Sequence, residues 1–299
     1  MADHLTDGSS LSRVRASLLV WYASDHRDFP WRRTSDPYAV MVSEVMLQQT
    51  QASRVAERFP IFMSRFPSAA SLAAASEADA LAAWSGLGYN RRALALRRAA
   101  AVVASQGWPR DPVGLERLPG IGTYTARAIA SLAFGEPVGV VDTNVRRWLV
   151  RRFGLAAETR ARELQALADA LAGAGRAGDA AAWTHATMEF GASICTSRSP
   201  RCGSCPIASG CPSRDVAATV PVPRQPSFAG SDRAYRGALL RALAASAKHS
   251  LGTAAARRLV PGSGFDRIVS GLERDGLLHR SGRSLHLGGR PESAATIGP

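Results

Sequence analysis

Apolar residues recur at helical spacing through most of the chain up to residue 212, and no segment there alternates as a half-buried strand does. The first such run extends from Leu11 to Tyr22. Asp36 followed by Pro37 is typical of an N-cap and a first helical residue, and predicts a helix that continues to residue 51. Further helices are predicted, between Gly- and Pro-containing breaks, at 68–85, 91–105, 123–134, 143–153, 159–173 and 178–192.

The pattern changes after residue 212. Residues 213–231 carry several prolines and little periodicity, which predicts a linker. Three shorter helices are then predicted near 233–246, 253–259 and 265–275, and the segment "GLLHRSGRSLHLG" favours a two-stranded wing. This order predicts a small, basic, winged-helix-like module at 232–289. We expect residues 1–10 and 290–299 to be flexible ends.

Composition and charge narrow the class of protein. With 299 residues, 46% of them hydrophobic, the chain can form two domains with sizeable cores. No apolar run approaches the roughly 20 residues that cross a bilayer, and the N-terminus has no secretory signal. We therefore expect a cytoplasmic, nucleoid-associated protein that does not enter membranes. The formal charge of +13 predicts a polyanionic partner, most simply nucleic acid.

All four cysteines lie in one short segment, "CTSRSPRCGSCPIASGC", at Cys195, Cys202, Cys205 and Cys211. In a chain without an export signal, clustered cysteines are typical of metal ligands rather than of disulfides. A four-cysteine zinc site is one physical possibility, although such sites favour two short C-x2-C pairs and this segment has one.

The segment "LPGIG" at 118–122 joins two predicted helices. Its glycines would let a phosphate approach the backbone, and the helix that begins at Thr123 would point its first N–H groups at that phosphate. The segment thus predicts a helix-hairpin-helix, which binds the DNA backbone without reading base sequence. The alternative is an ordinary Gly-Pro corner between helices.

Two acidic residues have unusual surroundings. Asp142 follows an apolar run and precedes a predicted helix, where an isolated Asp usually serves as an N-cap. Glu44 is flanked by Val42, Val45 and Met46, so it lies either on a helix surface or buried in a cleft with a raised pKa. Spacing alone does not choose between these two environments.

Taken together and in order, LPGxG, VDxNVxR and C-x6-C-x2-C-x5-C resemble the iron–sulfur branch of the helix-hairpin-helix DNA glycosylase superfamily. Four further segments are similar to adenine DNA glycosylases of the MutY type: "FPWR" (29–32), "SEVMLQQTQ" (43–51), "GLGY" (86–89) and "MEFGASIC" (188–195). The resemblance covers residues 11–212. It implies an all-α, two-lobed fold, with a six-helix lobe at about 31–135 and an iron–sulfur lobe formed by 11–30 and 136–212.

The resemblance also implies a cofactor and a type of reaction. The four cysteines of the family hold a [4Fe–4S] cluster, and here their loop would present Arg198 and Arg201 to DNA phosphates. Endonuclease III-like relatives carry a lysine two residues past the hairpin, whose amine forms a Schiff base and leads to strand cleavage. This chain has Tyr124 there, and its single lysine, Lys248, lies beyond the predicted linker. We therefore expect a monofunctional glycosylase.

The implied substrate is double-stranded DNA in which adenine is mispaired with 8-oxoguanine or guanine. Glu44 would protonate a ring nitrogen of adenine, and Asp142 would stabilise the oxocarbenium-like sugar. The other matching positions are Tyr124 and Asn144 beside the carboxylates; Arg32, Trp31 and Glu189 in the adenine pocket; Gln49, Thr50 and Tyr89 beside the orphaned base; and Gly120, Gly122 and Thr123 on the DNA backbone.

The C-terminus departs from the family pattern. Typical members end in a larger domain, related to nucleotide pyrophosphohydrolases, that recognises 8-oxoguanine, whereas only 68 residues (232–299) follow the linker here. The strength of the preference for 8-oxoguanine over guanine is therefore open. Two other functions stay open as well: a thymine or uracil mismatch glycosylase, and a non-catalytic iron–sulfur protein that binds DNA. We expect a monomer in each case.

Overall fold

The computed structural model describes residues 8–176, 178–214, 228 and 230–290. Most of the predicted N-terminal extension, linker and C-terminal tail lie outside these residues, although 8–10 are helical. The described elements are α1 (Gly8–Ser24), α2 (Pro37–Leu47), α3 (Ala52–Arg65), α4 (Ala69–Ala74), α5 (Glu77–Ala83), α6 (Arg91–Gln106), α7 (Pro112–Glu116), α8 (Thr123–Phe134), α9 (Thr143–Phe153), α10 (Ala161–Gly173), α11 (Ala180–Ser193), α12 (Asp232–Ala245), β1 (Ser250–Gly252), α13 (Thr253–Arg258), α14 (Phe265–Arg274), β2 (Leu278–Ser281) and β3 (Ser284–Leu287).

Most helices lie where the apolar spacing predicts them, with three differences. The α2 helix ends at Leu47 rather than at residue 51, because Gln49 adopts the left-handed backbone conformation, with φ of 55°. The segment predicted as one helix at 68–85 forms two, α4 and α5, because Ser76 interrupts it as an N-cap that accepts a hydrogen bond from the Asp79 amide. The α3 and α7 helices were not predicted.

The chain forms two compact units. The first comprises the described residues within Met1–Glu44 and Trp108–Pro223. Its core lies among α1, α9, α10 and α11, where Leu18, Trp148 and Phe190 are almost fully buried. The rings of Trp148 and Phe190 meet edge to face with centroids 5.8 Å apart. This core packs α9 against α11, which carry Asn144 and Glu189 of the candidate site.

The second unit comprises the described residues within Val45–Gly107 and Arg224–Pro299. In its helical part α4 packs on α6, and Phe62 meets Trp84 edge to face in the core. The C-terminal part has the predicted order of three helices and a wing, with one additional strand, β1. Its antiparallel sheet has the order β1-β3-β2, and α12 and β3 lie against α5. No helix of the described residues is long and apolar enough to cross a membrane.

Candidate active site

Glu44 is buried in α2, with 3% of its surface exposed. Burial raises the pKa of Glu44 to about 7, a hydrogen bond with Tyr124 lowers this pKa, and the negative charge of Asp142 raises it. The carboxyl oxygen Oε2 is buried without a hydrogen-bond partner among the described residues. Of the two environments open to Glu44, the structure has the buried one, in which the side chain is partly protonated at neutral pH.

Tyr124 lies in the first turn of α8, beside Glu44 and Met188. Burial and then the charges of Glu44 and Asp142 hold the pKa of Tyr124 well above its ordinary value, so the phenol remains protonated. Its hydroxyl group lies 3.8 Å from Sδ of Met188. A phenol that keeps its proton can donate a hydrogen bond to the Glu44 carboxylate or accept one from the protonated carboxyl, but it does not take the proton from Glu44.

Asp142 is the N-cap of α9, as an isolated Asp in this position predicts. Its Oδ1 accepts a hydrogen bond of 2.6 Å from the Val145 amide, and its Oδ2 accepts one of 2.8 Å from the side-chain amide of Asn144. Both oxygens therefore face N–H donors at the positive end of a helix dipole. The two acids differ in environment: Glu44 is buried with one oxygen lacking a partner, whereas both oxygens of Asp142 accept N–H hydrogen bonds.

Asn144 extends this network toward the cysteine segment. Its Oδ1 accepts a hydrogen bond of 3.0 Å from Arg147, whose Nε donates one of 2.8 Å to the Cys195 carbonyl. The contact between α9 and α11 is close at Gly191, where an added Cβ would lie 2.7 Å from the Asn144 carbonyl oxygen. A side chain at residue 191 would therefore displace the backbone that holds Asp142.

Glu189 is also buried, but its partners differ from those of Glu44. Its Oε1 accepts a hydrogen bond of 2.7 Å from Arg27, and its Oε2 accepts one of 2.7 Å from Arg32. Burial alone would raise the pKa of Glu189, but the hydrogen bonds and charges of Arg27 and Arg32 outweigh it and lower this pKa. Of these two buried glutamates, only Glu44 therefore carries a proton to donate near neutral pH.

Trp31 lies in the short 3₁₀ helix Pro30–Arg33 next to this ion-pair cluster. The side chain is buried, and its ring stacks on Phe29 with centroids 4.7 Å apart. The guanidinium of Arg32 lies 5.1 Å from the same Phe29 ring. The segment "FPWR" thus places aromatic and cationic side chains beside Glu189. Trp31 is itself part of the buried core.

The predicted hairpin is present between α7 and α8. Gly120 adopts φ of 77°, which only glycine takes without strain, and Gly122 is the N-cap of α8. Because Gly122 has no side chain, no side-chain oxygen caps the first N–H groups of α8. The Thr123 hydroxyl donates a hydrogen bond of 2.5 Å to Glu116.

The cysteine segment folds over the C-terminal half of α9, and all four cysteine side chains line one small cavity. Arg151 donates hydrogen bonds to Sγ of Cys195 at 3.6 Å and to the Thr196 carbonyl at 2.6 Å. Among the residues that the structure describes, no three His, Cys, Asp or Glu side chains are arranged as ligands of one metal ion. Four thiol groups around one cavity fit a cubane, which is larger than a single ion. Arg198 and Arg201 are exposed on this loop, as predicted.

The remaining predicted residues lie in the second unit, on two adjoining loops. Gln49 and Tyr89 are both exposed, and both adopt left-handed backbone conformations, with φ of 55° and 47°. Non-glycine residues in this region store strain of about 1–3 kcal/mol each, which the surrounding structure must hold. Thr50 lies between the loops, and its hydroxyl donates to the Leu87 carbonyl at 3.3 Å.

Arg92 holds both strained loops, a role that nothing in its local sequence predicts. Its Nη1 donates to the carbonyls of Val45 at 2.7 Å and Gln48 at 2.5 Å. Its Nη2 donates to Oγ1 of Thr50 and to the Gly88 carbonyl, both at 3.1 Å. Burial lowers the pKa of Arg92 to about 10, so the guanidinium remains charged.

Three more residues of the site received no role from the sequence: Arg27, Arg147 and Met188. Each contacts a partner distant in sequence, such as Glu189 for Arg27. Arg147 ends the segment VDxNVxR and Met188 begins "MEFGASIC", so both lie in segments that the resemblance singled out, but no local pattern marks their contacts.

Comparison with known proteins gives this site a class. Residues 42–173 match the family model of the HhH-GPD superfamily base excision DNA repair proteins. Residues 195–211 match the iron–sulfur binding domain of endonuclease III, so the four cysteines are those of a [4Fe–4S] cluster site. The predicted helix-hairpin-helix fold and the predicted cofactor are both confirmed. The fold and the cysteine segment are those of a DNA glycosylase of base excision repair.

Whole-chain relatives narrow the class further. The adenine DNA glycosylase of Mycobacterium tuberculosis (strain CDC 1551 / Oshkosh) is 42% identical over 241 residues, covering 77% of this chain and 78% of that protein. The one of Mycolicibacterium smegmatis is 44% identical, covering 76% of this chain and 78% of that protein. This chain belongs to the adenine DNA glycosylase family. It is therefore a DNA-binding enzyme of the N-glycosidase type, as predicted.

Solved structures agree on the fold. A thermostable thymine-DNA glycosylase superposes with a TM-score of 0.63 at 29% identity, covering 69% of this chain and 98% of that one. Endonuclease III trapped as a covalent intermediate on DNA superposes with a TM-score of 0.57 at 22% identity, covering 69% of this chain and 95% of that one.

Proposed function

We propose that this chain hydrolyses the bond between adenine and deoxyribose in double-stranded DNA in which adenine is mispaired with 8-oxoguanine or guanine. The observation that carries this proposal is the pair of unlike carboxyl groups in the first unit. Glu44 has a pKa of about 7 and one buried oxygen without a partner, whereas both oxygens of Asp142 accept N–H hydrogen bonds. Two-carboxylate glycosidases need such a pair, with one acid and one anion.

The reaction begins with the adenine turned out of the base stack, at a cost of a few kcal/mol that is smaller for a mispaired base. The strained and exposed Gln49 and Tyr89 are the groups proposed to enter the duplex beside the orphaned base. An inserted aromatic ring offsets part of the stacking that the departed adenine leaves behind. Thr50 and Arg92 hold the loops from which these two side chains project.

Glu44 then acts as the general acid. Its protonated carboxyl donates the proton to a ring nitrogen of the flipped adenine, which turns a poor leaving group into a neutral free base. The Tyr124 hydroxyl donates a hydrogen bond to the resulting carboxylate and so stabilises the deprotonated form of Glu44. Glu189 cannot take this role, because Arg27 and Arg32 keep it ionised. We propose instead that Glu189 lines the pocket that orients the base, together with Arg32 and Trp31.

Asp142 stabilises the oxocarbenium-like sugar as the adenine bond breaks, because its fixed negative charge faces a developing positive one. Water then adds to the sugar carbon, and the proton it loses returns to the Glu44 carboxylate. The products are free adenine and an abasic site, and the enzyme ends in its starting protonation state. Asn144 keeps Asp142 aligned through its side-chain amide hydrogen bond.

The same geometry predicts that the strand is left intact. Strand cleavage by the Schiff-base route needs a lysine amine, and this chain carries Tyr124 at the corresponding position and a single lysine, Lys248, in its C-terminal part. A phenol cannot form an imine with the sugar. We therefore propose a monofunctional glycosylase. We also propose that the enzyme is a monomer and that it acts at the nucleoid.

The duplex is proposed to be held by main-chain and arginine contacts in the first unit. The uncapped N-terminus of α8 binds one phosphate through Gly120, Gly122 and Thr123. The four cysteines would hold the cluster, which would anchor their loop, and Arg198 and Arg201 on this loop contact another part of the backbone. Residues of this chain that hold the loop to α9, chiefly Arg151, keep those arginines in place.

A second candidate is removal of thymine or uracil opposite guanine, because a thymine-DNA glycosylase shares this fold at 29% identity. Four duplexes, carrying 8-oxoguanine·A, G·A, G·T and G·U, separate the candidates when each is incubated with the protein and then treated with alkali. The proposal predicts breaks at adenine only. Breaks at the pyrimidine support the second candidate, and intact strands in all four refute both.

A further inference from the structure

The C-terminal part of the second unit is fixed against α5 rather than attached only through the chain. Gly289 donates its amide hydrogen to Oε2 of Glu77 at 2.9 Å. Gly288 lies so close that an added Cβ would be 3.2 Å from Cβ of Glu77 and 3.3 Å from the Ala78 nitrogen. His249 and Asp79 add a polar contact of 3.6 Å. The module therefore packs directly against α5.

Between this module and the strained loops lies an open cleft of about 900 Å³. Gln49 and Tyr89 line one side of it, and α12 lines the other. Six arginines line the cleft against a single acid, Asp275, which is 2.5 Å from Arg236 and 3.7 Å from Arg91. The exposed arginines are Arg54 on α3, Arg91 on α6, and Arg233 and Arg241 on α12.

The side chains that line the cleft favour a polyanionic ligand. Six arginines and one acid, Asp275, line the space, so the cleft concentrates positive charge in a concave surface. Guanidinium groups bind phosphate oxygens with paired hydrogen bonds. A ligand that meets Gln49 and Tyr89 at one edge and several arginines along the other is a nucleic-acid strand with its bases toward the loops.

We propose that this cleft binds the phosphates of the strand that carries the orphaned base, with α12 as the DNA-contacting helix of the C-terminal module. The proposal rests on the function proposed above, because that function places Gln49 and Tyr89 beside the orphaned base. It differs from the usual use of a winged helix, in which the third helix and the wing meet DNA. Here those elements, α14 and the β2–β3 turn, carry Arg274 and Arg283 outside the cleft.

Two double variants of the full-length holoprotein test this assignment. The cleft pair is Arg233→Ser with Arg241→Ser, and the control pair is Arg274→Ser with Arg283→Ser; each removes two positive charges from the same module. Binding is measured between 50 and 200 mM salt on a duplex with 8-oxoguanine opposite 2′-fluoro-2′-deoxyadenosine, whose fluorine blocks formation of the sugar cation. The cleft pair should weaken binding about 10- to 100-fold at low salt and lower the log–log salt slope by about two.

The control pair should change affinity by less than about threefold. Equal losses in the two pairs, or a loss confined to the control pair, would overturn the assignment. If the cleft pair fails to fold by circular dichroism, Arg54→Ser repeats the test from α3, with an expected slope change of about one. An unchanged slope in a folded Arg54→Ser protein likewise counts against the cleft.

Neutral linkages in the DNA identify the strand. Two methylphosphonates beside the orphaned base should weaken wild-type binding about as much as the cleft pair does, and should weaken the cleft pair by at most about twofold further. Full additivity would refute the contact with this strand. Adenine excision by the wild-type chain is measured separately. Absence of excision would refute the proposed function. Normal excision by the wild type together with unchanged DNA binding by the cleft pair would refute only the assignment of the cleft as a DNA-binding site.

Discussion

Arg147 donates a 2.8 Å hydrogen bond from Nε to the backbone carbonyl of Cys195, the first cysteine of the cluster segment. The same guanidinium donates to Oδ1 of Asn144, whose amide holds Asp142. One side chain therefore fixes the carboxylate that is proposed to stabilise the sugar and the start of the iron–sulfur loop. The position of the carboxylate should depend on this arginine even though Arg147 touches no substrate.

Replacing Arg147 with Leu should lower the single-turnover excision rate at saturating enzyme by at least about tenfold, because a misplaced charge stabilises the cation less. Arg146→Leu is the matched control, since Arg146 donates to the carbonyls of Ala157 and Thr159, away from the cysteines. Iron content is measured in both. A normal rate in Arg147→Leu, or an equal loss in Arg146→Leu, would remove the positioning role.

Glu44→Gln should abolish excision and should at the same time stabilise the protein at alkaline pH. The folded-state pKa of Glu44 is about 7 against an ordinary 4.5, so the stability that this group contributes is present below pH 4.5 and is lost as pH rises through 7. At pH 8 the buried carboxylate costs about 3 kcal/mol, which glutamine avoids. Duplex affinity should stay within a few-fold of wild type.

Thermal unfolding at pH 5 and pH 8 measures this effect. The melting temperature of Glu44→Gln should exceed that of wild type by more at pH 8 than at pH 5. Glu57→Gln, at an exposed position on α3, should show no such widening. A Glu44→Gln protein that excises adenine near the wild-type rate would exclude Glu44 as the acid.

Tyr124→Phe should shift the pH profile of excision upward. The Tyr124 hydrogen bond lowers the pKa of Glu44, so its removal lets burial raise that pKa further. The acid then keeps its proton to higher pH, and the alkaline limb of the single-turnover rate moves upward, with the rate at pH 7 within about tenfold of wild type. Tyr38→Phe is the control, since Tyr38 is a buried phenol on α2, and it should leave the alkaline limb of the rate profile unchanged. A downward shift in Tyr124→Phe would contradict the proposed hydrogen bond.

Arg92→Lys should weaken base flipping more than binding. A lysine cannot donate at once to the carbonyls of Val45, Gln48 and Gly88, so the left-handed conformations of Gln49 and Tyr89 lose their support. The saturating single-turnover rate should fall about tenfold or more, with duplex affinity within about threefold. Arg98→Lys on the exposed face of α6 is the control. Equal rates in the two variants would show that the loop conformations do not depend on Arg92.

The sequence predicted the parts of this molecule that local chemistry determines. The Asp36-Pro37 start of α2, the Gly120 and Gly122 turn and the N-cap at Asp142 follow from backbone preferences of single residues, and each is present. The cysteine spacing likewise predicted one metal-binding segment. These features depend on neighbours within a few positions, which the sequence displays directly.

The remainder depends on contacts between distant segments. The spacing around Glu44 allowed both a surface and a buried position, and only tertiary packing decided between them. The helix after Gln49 was missed because the left-handed residue that separates α2 from α3 is a glutamine rather than a glycine. The roles of Arg92 and Arg147 were not predicted because their carbonyl partners lie 44 and 48 residues away in sequence.

The chemical identity of the released base tests most directly whether this chain is a monofunctional adenine glycosylase. Purified holoprotein is incubated in excess with a duplex that contains one G·A mispair, and the products are separated by liquid chromatography before any alkali is added. We expect one equivalent of free adenine per duplex and two full-length strands, with a break at the abasic site only after alkali. Release of no base, release of a pyrimidine from a G·T duplex instead, or a strand cut without alkali would contradict the proposed function.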